Sequence, residues 1–187
     1  MALKEKTGGV KDWNVVVTSY MHQEKRLLQE LRGLGEFQFT GFRAVLIGQV
    51  TDIVEFLEIL RERWEKKPFL PELLSSVVPI RKVFPFTLDN FVARLQEETL
   101  ALGPEIGDKA FYVRMQRRGH KGELSSQEVE QALDQFLKEE LSGWGQKCHI
   151  DFVAAEAIVV VETIHNQCGL GLVTRELKEK YPFIKIK

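Results

Sequence analysis

The chain has 187 residues, 44% hydrophobic and 28% charged, which is the balance of a globular protein and excludes a disordered one. Its 26 basic and 27 acidic residues leave a formal charge of −1, so bulk charge offers no attraction to nucleic acid or anionic membrane, and any basic site has to be local. No apolar run approaches the ~20 residues of a bilayer span and the start, MALKEKTGG, lacks the apolar stretch of a secretory signal, so a soluble, cytoplasmic protein is expected.

After Trp13 the β-branched run WNVVVTSY reads as a strand, and HQEKRLLQELRGLG as a helix with Leu27, Leu28, Leu31 and Leu34 on one stripe, ended by Gly33 and Gly35. EFQFT and RAVLIGQV read as a hairpin. TDIVEFLEILRERWEKK then places Ile53, Val54, Leu57, Leu60 and Trp64 on one helical face, capped by Thr51 or Asp52. A strand over SSVVPIRKVF completes the order β-α-β-β-α-β, the ferredoxin-like split βαβ pattern, for a first domain over residues 1–84.

A second series covers residues 85–187. FTLDNFVARLQEETLAL puts Leu88, Phe91, Val92 and Leu95 at helical spacing and ends at Gly103, Pro104 and Gly107. The strand KAFYVRMQRR leads through a Gly-His-Lys-Gly turn into SSQEVEQALDQFLKEEL, a helix burying Val129, Leu133, Phe136 and Leu137. Ser125 and Glu128 have capping-box spacing at its start. CHIDFV, AIVVVETI and the run from Cys168 to Val173 read as strands, and TRELKEK as a short helical turn. The expected fold class is α+β, an α/β sandwich in each half.

Charge is uneven along this order. Before Phe84 there are 13 basic and 11 acidic residues, and from it onward 13 and 16. Yet Lys109, Arg114, Arg117, Arg118 and Lys121 lie in a stretch, Lys109 to Lys121, that contains no acid, while Glu123, Glu128, Glu130, Asp134, Glu139 and Glu140 gather on or just before the following helix. Along the strand Phe111, Val113 and Met115 alternate with Tyr112, Arg114 and Gln116, so the tyrosine and arginine point away from the core. Guanidinium groups grip phosphates bidentately, glycines let backbone N–H groups approach a ligand, and a helix start favours an anion. The turn with Arg117, Arg118, His120 and Lys121 is therefore a candidate phosphate site. A solvated strand end whose arginines pair with nearby acids is the plainer alternative.

These residues have a family likeness. FYVRMQRRGHKGELSSQEVEQALDQFL followed by HIDFVAAEAIVVVETIHNQCGLGLV resembles the THUMP domain, and SVVPIRKVFPFT resembles the junction that precedes the THUMP helix. The resemblance implies a ferredoxin-like plus THUMP pair that grips the 3′ CCA acceptor end of tRNA and holds a distant nucleotide in a separate active site. With no catalytic domain read before Lys187, it implies a non-catalytic adaptor that presents tRNA to a partner enzyme, such as an acetyltransferase making N4-acetylcytidine. Carried onto this sequence, Arg114, Arg117, Arg118 and Lys121 bind phosphates, with Lys109 and His120 nearby. Tyr112 either stacks on an unpaired base or shields the core. Arg81 and Lys82 at the junction either share the groove or pair with the neighbouring domain. A protein–protein scaffold with incidental RNA binding is the alternative function.

Other constellations carry less. Cys148 and Cys168 sit on no CxxC spacing, and His22, His120, His149 and His165 never fall at i, i+4, so neither metal nor cofactor is expected. Cys168-Gly-Leu-Gly171 with His165 lacks the P-loop pattern and reads as a buried structural cysteine beside a glycine turn. Asp151, Glu156 and Glu162 read as partly exposed strand carboxylates, Trp13, Trp64 and Trp144 as packing residues, and Arg175, Lys178 and Lys180 as a charge-laced surface turn.

Overall fold

The computed structural model describes residues 10–187. The β-branched run is strand β1 (Val15–Ser19), followed by helix α1 (Glu24–Glu30), and β2 (Glu36–Phe39) with β3 (Val45–Gln49) forms the expected antiparallel hairpin. Helix α2 (Ile53–Lys66) starts at Asp52, whose carboxylate accepts the Glu55 N–H at 3.0 Å. Its buried stripe is Phe56, Leu57 and Leu60, while Val54, expected on that face, is 59% exposed. A single helical turn, α3 (Leu70–Leu73), leads into β4 (Leu74–Pro79). The sheet order β2-β3-β1-β4 sets the first and last strands of the β-α-β-β-α-β sequence side by side, with β2 and β4 at the two edges.

The strand expected across SSVVPIRKVF is in fact two strands in two sheets. Proline has no N–H to donate, so the ladder ends at Pro79. The chain then re-pairs as β5 (Lys82–Pro85), antiparallel to a later strand. The compact units divide inside β4, between Val77 and Val78, ahead of the Phe84 division read from the sequence.

In the unit from Val78 onward, helix α4 (Phe91–Thr99) runs through a 3-10 turn at Leu100–Leu102 into the short α5 (Gly103–Ile106). Phe91 and Leu95 are buried, but Leu88 lies ahead of the helix and is exposed, as is Val92. Strand β6 (Ala110–Gln116) precedes α6 (Ser126–Gly143), which starts where Ser125 Oγ accepts the Glu128 N–H at 3.3 Å. Then come β7 (His149–Ile150), β8 (Ala157–Ile164), β9 (Gln167–Thr174) and α7 (Arg175–Lys180). The five-stranded order is β5-β9-β8-β6-β7, with β6 parallel to both neighbours. One hydrophobic cluster joins Phe91 and Leu95 of α4, Val129, Leu133, Leu137 and Leu141 of α6, and Phe111, Val113, Met115, Val159 and Val161 of the sheet. Near the C-terminus Tyr181, Phe183 and Ile184 are also buried. The fold is mixed α+β, as expected, and no helix among the described residues is long and apolar enough to cross a membrane.

Candidate nucleic-acid interface

Strand β6 is the platform of the site. Its burial alternates as the sequence implies: Phe111, Val113 and Met115 are buried, while Tyr112, Arg114 and Gln116 are half-buried. Because β7 has two residues and pairs only with Ala110 and Phe111, the outer edge of β6 beyond that point has no strand partner among the described residues. Helix α6 supplies carboxylates instead. Asp134 Oδ1 accepts the Val113 N–H at 2.8 Å and Glu130 Oε1 accepts the Met115 N–H at 2.9 Å. Two of the acids that gather on this helix are thus turned onto a strand edge. Burial pushes the Asp134 carboxyl up to about 6, opposed by the Val113 N–H and reinforced by the neighbouring Glu130 charge.

At the end of β6 the chain is stitched to the turn between β8 and β9. Arg118 donates its N–H to Thr163 Oγ1 at 2.9 Å, its carbonyl accepts the His165 N–H at 3.2 Å, and its guanidinium pairs with Glu162. That ion pair is nearly dry, with 15% of the Arg118 side chain and 4% of the Glu162 side chain exposed. Burial pushes the Glu162 carboxyl up and Arg118 opposes the shift. His120 Nε2 lies 2.8 Å from Asn166 Oδ1, and its ring centroid lies 5.6 Å from that of Phe86. Gly119 and His120 are both left-handed, at φ 98° and 54°, a conformation costly for histidine that these contacts hold in place. The turn is therefore preorganised rather than loose.

Of the cations expected to bind phosphate, Lys121 is exposed and makes no ion pair among the described residues. Arg117 is half-buried, with its guanidinium donating to Gly119 O at 2.5 Å, and Arg114 lies 3.9 Å from Glu130 and 5.5 Å from the Tyr112 ring centroid. Arg118 is committed to Glu162, so it tethers the turn instead of presenting a free guanidinium. Lys109 lies at the opposite end of β6, donating to Glu105 O at 2.7 Å. At about 3.3 Å per residue it is separated from Arg117 by roughly 25 Å. Arg81 binds the same Glu105 through both guanidinium nitrogens, and Lys82 lies 3.8 Å from Glu98. The acid-free stretch is thus spread along the strand: Arg117, Arg118, His120 and Lys121 at one end, Arg114 within β6 beside Tyr112, and Lys109 at the other end, where Glu105 also binds Arg81.

The remaining candidates have internal tasks. Cys168 is fully buried in β9 and burial pushes its thiol up. Gly171 lies where a Cβ would overlap the Pro79 carbonyl oxygen, so the Cys-Gly-Leu-Gly run is a strand closely approached by another backbone and not a loop. Glu162 is buried, not partly exposed as expected, and Glu156 Oε2 accepts the Ala110 N–H at 3.0 Å. Asp151 ends β7 by accepting the N–H groups of Val153 and Ala154, which shortens the strand expected over CHIDFV and leaves Phe152 exposed beside Tyr112. Phe152 is hidden in a run that reads as a strand; the Asp two residues ahead of Val153 is the signal for a turn. Among the described residues no group of three or more His, Cys, Asp or Glu is arranged to hold a metal ion.

Neither a family model nor a curated protein sequence matches this chain. Solved structures share its fold. TrmN from Thermus thermophilus matches with a TM-score of 0.62 at 19% identity, over 87% of this chain and 45% of TrmN. A 4-thiouridine synthetase, solved as an RNA complex with bound ATP, matches with a TM-score of 0.52 at 12% identity, over 86% and 41% of the two chains. A putative methyltransferase complexed with SAH matches with a TM-score of 0.51 at 15% identity, over 89% and 42%. The chain therefore spans less than half the length of each. These matches support the THUMP-like fold that the sequence resemblance implies. They also correct one expectation: the reading of the chain as a non-enzyme gives way, because the fold recurs within a synthetase and within proteins named as methyltransferases or methylases.

Proposed function

We propose that this chain is the RNA-gripping part of a tRNA-modifying system, a ferredoxin-like unit followed by a THUMP-like unit. It holds the 3′ acceptor end so that a distant nucleotide reaches a modifying centre. The observation that carries this reading is the fold shared with a synthetase solved in complex with RNA. The preorganised turn, with Lys121 open to solvent, Arg117 at its start and Arg114 on the strand that leads into it, supplies phosphate-binding chemistry of the right kind. Arg118 serves by holding that turn through Glu162.

The test is tRNA binding as a function of salt. Three or four cations on single-strand phosphates give a slope of log K against log salt of about −2 to −3. The variants K121E and R117E should weaken binding and flatten that slope, and trimming the 3′ CCA should weaken binding strongly. Normal binding by both variants, or indifference to the CCA end, overturns the reading. A partner enzyme forming N4-acetylcytidine is its most specific form: acetylation of tRNA should rise when this protein is added. No rise, with tRNA binding intact, removes that partner and leaves the grip.

A further inference from the structure

We propose that Phe152, packed at a tilt against Tyr112, is a platform for an unpaired nucleobase, and that the groove beside it receives the adjoining nucleotide with its phosphate on Lys178. This deepens the RNA-binding reading and rests on it. The ring centroids of Tyr112 and Phe152 are 5.5 Å apart with the planes tilted by 46°, and Arg114 lies 5.5 Å from the Tyr112 centroid, so Tyr112 has a second ring and a cation as neighbours. Phe152 is 64% exposed and Val153 97%.

A lone exposed apolar residue is ordinary. This one stands on a loop tied down on two sides. Asp151 Oδ1 accepts the N–H groups of Val153 and Ala154, each at 2.8 Å, and Arg175 clamps the other side of the loop by donating to the Ala154 carbonyl at 2.7 Å and the Ala155 carbonyl at 3.4 Å. The ordering cost of presenting the ring to a ligand is thus already met within the fold.

Next to it lies a groove of about 290 Å³ lined by Val153, the residue after Phe152, with Ile158, Val173, Arg175, Lys178 and Glu179. That volume matches a small ligand such as one nucleotide, close to the lower limit of roughly 300 Å³ for small-molecule sites. Lys178 makes no ion pair among the described residues, so its ammonium is available to a phosphate. Aromatic faces for bases beside cations for the backbone are the elements by which proteins hold single strands. An acidic peptide would use the cations and leave the rings without a role.

The experiment uses the full chain with a six-nucleotide unpaired RNA and a duplex RNA of equal length. F152A should weaken single-strand binding by roughly 5- to 150-fold with an unchanged salt slope, because it removes stacking and no charge. K178E should weaken it and flatten the slope by about 0.7. F152W should bind with quenched emission, and duplex affinity should stay as in the parent protein. If F152A binds the single strand normally while K121E does not, the platform is wrong and the RNA grip stands. If the parent protein binds no RNA, the functional reading falls and the platform with it. If F152A keeps all RNA binding but loses a protein partner, the surface is a protein-docking one and the inference is overturned.

Discussion

Asp134 accepts the main-chain N–H of Val113 across the edge of β6, at 2.8 Å, and is itself only 5% exposed. The native carboxyl is raised to about 6 from an ordinary value of 3.8. Between those values the folded state holds a proton that the unfolded chain has released, so this group's contribution to stability falls as pH rises, and the loss is complete above about pH 6. D134N keeps the acceptor and removes the charge. Relative to the parent protein it should gain on the order of 2–3 kcal/mol between pH 4 and pH 7, read from urea midpoints at both values. D134A should instead lose about 1–3 kcal/mol at low pH, where it orphans the Val113 N–H.

Arg118 and Glu162 form a buried pair, and breaking such a pair leaves an uncompensated charge. R118A should destabilise the protein by about 3–5 kcal/mol, as should E162A. Replacing both with apolar residues of similar volume, R118M with E162L, should recover most of that loss in thermal or urea unfolding. A double variant as unstable as the sum of the singles would contradict this account of the pair.

Gly171 faces Pro79. A Cβ there meets the Pro79 carbonyl oxygen and lies 3.0 Å from Val160 Cγ2. Main chain cannot swing aside as a side-chain tip can, so G171A should cost about 3 kcal/mol. Gly143, at the end of α6, has open space where a Cβ would sit, with nothing within 4 Å, and makes the control. G143A should be neutral or slightly stabilising, since alanine favours helix by about 1 kcal/mol over glycine.

Both cysteines are buried and burial raises both thiols. The thiolate is the reactive form, so neither should react with iodoacetamide in the native protein at neutral pH, and both should react in denaturant. Mass spectrometry of the labelled protein reads the count directly. Rapid native labelling of Cys168 would contradict its placement in the core.

Local chemistry made much of this protein legible from its residues. The caps at Asp52 and Ser125 bond to amides three residues away, and the alternation of Phe111, Val113 and Met115 with Tyr112, Arg114 and Gln116 follows from the geometry of a single strand. The order of strands and helices in the first sheet is likewise carried by periodicity and turn residues. What could not be read were pairings between distant segments. Nothing near Arg118 in the chain announces Glu162, 44 residues on, or near Arg81 announces Glu105, 24 residues on. The basic stretch looked continuous because sequence distance along a strand hides the roughly 25 Å it spans in space.

The residues by themselves determined most of the helices and strands, the alternation along β6 and which turn is rich in cations, because propensity, capping and periodicity act over one or two turns of chain; where a strand ends and re-pairs, as at Pro79, they did not. Tertiary structure alone decided which charges remain open to a ligand. Long-range packing brings Glu162 to Arg118, Asp134 to Val113 and Phe152 to Tyr112, and an ion's availability depends on the carboxylate it meets after folding.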